Sequence, residues 1–101
     1  ACVLIMGLSG CGSGLPRVTP DVVTLAQRRD PTLDANRLNA IRTLYVNRCS
    51  SCHSLNSPSD YDEAEWATWM RKMAPKAKMD SVQEREVLLF ILAARESAAV
   101  R

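Results

Sequence analysis

From residue 35 onward the apolar side chains recur at intervals of three and four and nowhere alternate as a strand would, which restricts the chain to helices. Leu38, Ile41, Leu44 and Tyr45, with Arg37, Asn39, Arg42 and Thr43 between them, predict one amphipathic helix from Ala35 into Cys49. Ser57-Pro58-Ser59 then breaks the pattern. Two overlapping capping boxes, Asp60-x-x-Glu63 and Asp62-x-x-Glu65, announce a second helix with Trp66, Trp69, Met70 and Met73 on its apolar face. Its early acids and the bases Arg71 and Lys72 suit the two ends of the helix dipole. Pro75 is expected to stop this helix, leaving residues 75–80 as a loop, and Ser81-x-x-Glu84 to open the last one. That helix carries Val82, Val87, Leu88, Phe90, Ile91, Leu92 and Ala94. The run from Val87 to Ala94 is wider than a single stripe, so it needs cover on more than one side. The expected fold class is all-α, with three main helices.

Residues 12–34 hold Pro16, Pro20 and Pro31 among scattered apolar positions and read as a linker. A short helix from Asp21 to Arg29, with Val22, Val23, Leu25 and Ala26 as its apolar residues, would be its one ordered piece. The helical core would then rest on about sixty residues, a marginal size without a staple, metal or cofactor. At +2 the formal net charge is too near neutrality for a dedicated nucleic-acid surface. Electrostatics name no partner.

At the amino end Val3, Leu4, Ile5, Met6 and Leu8 form an apolar stretch too short to span a bilayer, followed by Ser9, Gly10 and Cys11. This is the pattern of a secretory signal. Leu8-Ser9-Gly10-Cys11 resembles the lipobox of bacterial lipoproteins, and Gly12-Ser13-Gly14 supplies a flexible tether behind it. The resemblance implies that residues 1–10 are a signal remnant, that Cys11 is lipidated, and that residues 11–34 are a lipidated terminus and tether. Gly12 in place of Asp implies, by similarity, retention at the outer membrane of a Gram-negative cell, facing the periplasm. The alternative is an ordinary signal or a disordered terminus with a chance cysteine. With Cys2 removed and Cys11 acylated, Cys49 and Cys52 remain in residues 35–101, the expected functional domain.

Cys49-Ser50-Ser51-Cys52-His53 carries the chemistry. Two thiols three positions apart can add to the two vinyl groups of one haem, and a His directly after the second then reaches the iron from below the ring. His53 is the only histidine in the chain, the setting is that of an exported protein, and an amphipathic helix with Tyr45 four residues before Cys49 leads in. A thioredoxin-like pair would need a preceding strand where helix is expected. Structural zinc lacks a fourth ligand. A plain Cys49–Cys52 disulfide closes so short a loop that it constrains little of the unfolded chain, and it leaves the small core unexplained.

With one histidine the chain cannot make a bis-histidine haem, so a methionine sulfur is the natural distal ligand, with Met73 first and Met79 second. Met70, beside two tryptophans, reads as core filler. Without a methionine ligand, the sixth position would be open to a small gas molecule.

From the first helix through the haem motif and a Met-bearing segment to the terminal helix, residues 36–96 resemble a small class I c-type cytochrome. The resemblance implies a cytochrome c-like domain packed around one covalently attached haem c. Cys49 and Cys52 would hold the haem, His53 the iron on the proximal side and Met73, after a Trp-bearing helix, on the distal side. Trp66 and Trp69 would wall the pocket, and the carbonyl of Pro58 would face the imidazole. The implied role is a single-electron carrier, not an enzyme, exchanging with redox proteins in the periplasm and bound to the membrane through its lipid. The alternatives are a haem-based gas-binding or sensor module and the electron-transfer subunit of a larger redox enzyme. Arg71, Lys72, Lys76 and Lys78 form a basic run that reads as a solvated face, or as a surface for haem propionates or an acidic partner. Two features depart from the family: Ile41 stands where a glycine commonly lies eight residues before the first Cys, and Ile91, next to Phe90, stands near the usual aromatic of the last helix. The interval from His53 to Met73 is short, so an exposed haem edge and a lowered potential are expected.

Overall fold

The computed structural model describes residues 16–49 and 56–100. They form α1 (Pro20–Arg29), α2 (Ala35–Cys49), a 3-10 turn (Pro58–Asp60), α3 (Glu63–Lys76) and α4 (Ser81–Val100), with no strand among the described residues. The all-α expectation holds, with one more packed helix than the sequence reading counted.

That helix is α1. Thr19 Oγ1 accepts the Val22 N–H at 3.2 Å, Pro20 sits where its missing N–H costs nothing, and Asp21 and Arg28–Arg29 suit the two ends of the dipole. Val22 and Ala26, one turn apart, are buried against α4. The Asp30 side chain then accepts the Thr32 N–H (3.0 Å) and hydroxyl (2.7 Å), turning the chain at Pro31 so that Leu33 enters the core with no exposed surface. Residues 20–34 are therefore part of the domain, which corrects their reading as tether. The helix itself is the one expected from Asp21 to Arg29; that it packs was not, because only Val22 and Ala26 on it, and Leu33 beyond it, are buried. They supply cover for α4, whose broad apolar surface the other helices do not close.

Asp34 Oδ1 accepts the Arg37 N–H at 2.8 Å and opens α2, which buries Leu38, Ile41 and Tyr45. Ahead of α3 the rival capping boxes divide the work. Asp62 and Glu65 exchange bonds at 2.8 and 3.0 Å and cap α3, whereas Asp60 accepts the Ser57 N–H at 2.9 Å and closes the 3-10 turn.

Pro75 does not stop α3, which runs one residue further to Lys76. Proline removes only the N–H aimed at the carbonyl of exposed Arg71. The helix closes on the carbonyls behind it: Met79 N–H donates to Ala74 O (2.9 Å) and Lys78 N–H to Pro75 O (3.2 Å), with Lys78 left-handed at φ 58°. This is a Schellman ending with lysine where glycine is usual, and its apolar contact joins buried Ala74 to buried Met79. Asp80 follows at once and takes the cap of α4. It exchanges bonds with Gln83 at 2.8 and 3.0 Å, so the box lies one residue before the predicted Ser81–Glu84 pair.

α4 is the centre of the domain and packs on α1, α2, α3 and the 3-10 turn. Val87, Phe90, Ile91 and Ala93 have no exposed surface, as the wide apolar run requires. Ion pairs fasten its flanks: Arg29 bridges Glu63 (2.8 Å) and Glu96 (2.6 Å), Arg85 reaches Asp30 (2.9 Å), and Arg37 forks onto both oxygens of the nearly buried Glu86.

Candidate cofactor site

The buried stripe of α2 ends on a thiol. Cys49 follows Tyr45 by four residues, so it continues the face of Leu38 and Tyr45 and packs half-buried against the core. The first residue of the motif thus lies on the inward face at the end of α2. Tyr45 is buried, and its hydroxyl donates to the carbonyl of Asn56 at 3.4 Å. Burial, with Cys49 and Asp60 adding to it, pushes its pKa up to about 12, so the ring stays neutral. This contact brings the chain back beside α2 seven residues after Cys49. The chain on the far side of the segment that carries Cys52 and His53 is therefore hydrogen-bonded to α2 one turn before Cys49. Cys52, His53 and Cys11 themselves lie outside the described residues.

A second element meets the same helix end. Arg48 Nη1 donates to the carbonyls of Ala77 (3.1 Å) and Lys78 (2.7 Å), so the Schellman turn is hydrogen-bonded to the residue before Cys49. Met79 follows in that turn and is buried, 8% exposed. Met73 is half-buried on the flank of α3, between the buried row of Trp66, Met70 and Ala74 and the exposed Trp69. It stands one turn short of the helix end, not at it. Met70 is core, 3% exposed, as expected of a filler. Nothing in the sequence reading singled out Arg48. A basic residue in a last turn signals only a favourable dipole contact, and its reach to another turn is a tertiary fact.

The two tryptophans divide. Trp66 is buried, its indole N–H donates to Pro58 O at 2.8 Å, and Tyr61 meets it edge-on at 5.1 Å. The Pro58 carbonyl that the resemblance offers to an imidazole thus already holds an indole N–H. Trp69 is 39% exposed; it rests on Tyr61 at 5.8 Å, lies under the Lys72 ammonium at 5.6 Å, and borders an open cleft of about 250 Å³ with Ala64, Glu65 and Thr68. A single apolar face holding both is not what α3 presents. Ile41 and the Phe90–Ile91 pair are all buried, and α2 packs on α4, so an isoleucine is accommodated at the position where the resemblance calls for glycine.

Among the described residues no group of three or more His, Cys, Asp and Glu side chains could hold a metal. Nor is any described helix long and apolar enough to cross a membrane. The sulfur-bearing side chains in these elements are the half-buried Cys49 that ends α2, the half-buried Met73 of α3 and the buried Met79, whose turn is hydrogen-bonded to Arg48. No family model matches the chain, and no curated protein or solved structure matches it significantly.

Proposed function

We propose that the protein is a periplasmic, lipid-anchored carrier of single electrons, a cytochrome c-like domain whose helices pack around one covalent haem c. The observation that carries this reading is that Cys49, first residue of Cys49-Ser50-Ser51-Cys52-His53, ends an amphipathic helix packed against the core. Cys49 and Cys52 would bind the ring as thioethers, His53 the iron, and Met73 its opposite side; Met79 is the alternative because its turn is tied to Arg48. The iron supplies the change of one unit of charge. The chain's own part is to exclude water and fix the ligands. Buried Tyr45, neutral near pH 7, adds no charge beside the ring, and the Arg48 bonds limit the movement of the turn that bears Met79. Lysine and arginine side chains stay outside the core, so a low-dielectric surround is left to tune the potential. Cys11 would carry the lipid, and its tether would end before Pro16, whose carbonyl accepts from Arg42 (2.6 Å) and after which Val18 packs on the core.

The test is the absorption spectrum, oxidised and reduced, of protein made with a haem-attachment system, before and after extraction with acid acetone. Haem that stays on the polypeptide, with the weak sulfur-to-iron charge-transfer band in the ferric form, supports the carrier. Loss of that band in Met73→Ala, and its retention in Met79→Ala, assigns the ligand; the reverse result assigns Met79. Haem that stays without the band moves the reading to gas binding. No haem under conditions that mature a control cytochrome overturns it.

A further inference from the structure

The charges of α3 are sorted by sign, and one end of the sorting is left unpaired. Asp60, Asp62, Glu63 and Glu65 stand at its start; Arg71, Lys72, Lys76 and Lys78 stand along its second half and the turn beyond, all exposed. The ion pairs of the described residues, among Arg29, Asp30, Arg37, Glu63, Arg85, Glu86 and Glu96, leave these four cations out. The helix dipole accounts for Lys76, because its field falls off within the last turn. It does not account for Arg71, more than a turn inside, or for Lys78, beyond the end.

Trp69, Lys72 and Lys76 follow one another at spacings of three and four and so share a side of α3. α3 packs on α4 through its other side, where Trp66, Met70 and Ala74 are buried. The only large apolar side chains exposed among the described residues are Trp69, on this face, and Val82, four residues past Lys78 in the first turn of α4. An exposed tryptophan is the kind of anchor protein interfaces favour, and the lysines around it supply the charge that steers an acidic partner. A flat anionic membrane suits it less, because a plane broad enough to cover the basic half of α3 also meets Asp62 and Glu65 two turns away. A bounded acidic patch on a protein can match one half alone.

We propose that the Trp69, Lys72 and Lys76 face of α3, with Lys78 in the turn beyond, is the docking surface for an acidic protein partner. Its attraction steers encounter and Trp69 fixes the seat. If the carrier reading holds, this partner is the one that exchanges the electron; the surface itself does not depend on haem.

The test measures binding of the full, haem-loaded chain to an immobilised decaglutamate peptide by surface plasmon resonance at low salt. The double variant Lys72→Glu/Lys76→Glu is compared with Arg17→Glu/Arg28→Glu, which changes the net charge equally at exposed positions of other segments. Expected are a loss of about tenfold or more for the first, about twofold or less for the second, and wild-type binding that disappears near 0.5 M salt, roughly where exposed charges are screened. The neutral pair Lys72→Gln/Lys76→Gln, which is gentler on folding, should fall between. Equal losses in the two charge-reversal variants would reduce the effect to net charge and overturn the proposal. So would wild-type binding to phosphatidylglycerol vesicles as tight as to the peptide, since the face would then be a lipid surface. The readout is mass, so it decides the docking question even on a polypeptide found to carry no haem.

Discussion

Trp66→Phe separates a buried hydrogen bond from the aromatic packing around it. In the wild type the indole N–H donates to Pro58 O at 2.8 Å inside the core, and the ring is 5% exposed with Tyr61 edge-on at 5.1 Å and 83°. Phenylalanine keeps an aromatic ring but has no donor, so a carbonyl of a buried proline is left unpaired, a loss of about 1–3 kcal/mol. The smaller ring leaves a void that adds roughly 1 kcal/mol, and part of the edge-on contact with Tyr61 survives. The sum is about 2–4 kcal/mol, or a fall in melting temperature of roughly 10–20 °C for a domain of this size. Trp69→Phe is the matched control. Its ring is 39% exposed and no hydrogen bond engages its indole, so about 1 kcal/mol or less is expected. Urea unfolding followed by far-UV circular dichroism measures both without relying on tryptophan emission. If the Trp66 variant costs within about 0.5 kcal/mol of the Trp69 variant, the Trp66–Pro58 bond is not what joins α3 to the 3-10 turn and the reasoning fails.

Lys78→Gly should raise stability by about 0.5–1 kcal/mol, seen as a higher melting temperature, because the left-handed position at φ 58° suits glycine and Arg48 binds the backbone there, not the side chain; a loss of stability would mean that the lysine side chain holds the turn. Asp30 is held at about 2, below its ordinary 3.8, chiefly by the Thr32 hydroxyl, then by Arg85 and the Thr32 N–H. A depressed carboxylate stabilises fully above the unfolded value near 4 and loses that contribution as pH falls through about 2. Asp30→Asn should therefore flatten the decline of the urea midpoint in that window, and an unchanged decline would remove Asp30 from the acid transition.

What sequence made legible follows the range of the forces involved. α2 begins and ends at the residues its periodicity predicts, and the Asp62–Glu65 box is where the pattern puts it, because helix registers and caps act over four residues. The boundary at Pro75 was misread because a proline signals a missing N–H but not whether anything needs that N–H. Here the carbonyls of Met73, Ala74 and Pro75 are served by residues beyond the proline. The cap of α4 slipped by one because Asp80–Gln83 and Ser81–Glu84 are equally good boxes. The turn that ends at Met79 chose between them.

Sequence by itself determined the helical class, the inward stripe that ends on Cys49, and the thiol–thiol–imidazole order on which the proposed haem attachment rests. Each of these is a local pattern whose chemistry is complete within a few residues. Only the tertiary structure decided that α1 covers α4, that Trp66 takes the Pro58 carbonyl while Trp69 faces water, and that Arg48 binds the turn carrying Met79. The bonds that fix these pairings join residues from 8 to 67 positions apart. The pairing is set by which apolar area still lacks cover once the strongest helices have packed, a property of the assembled core that no single stretch of chain contains.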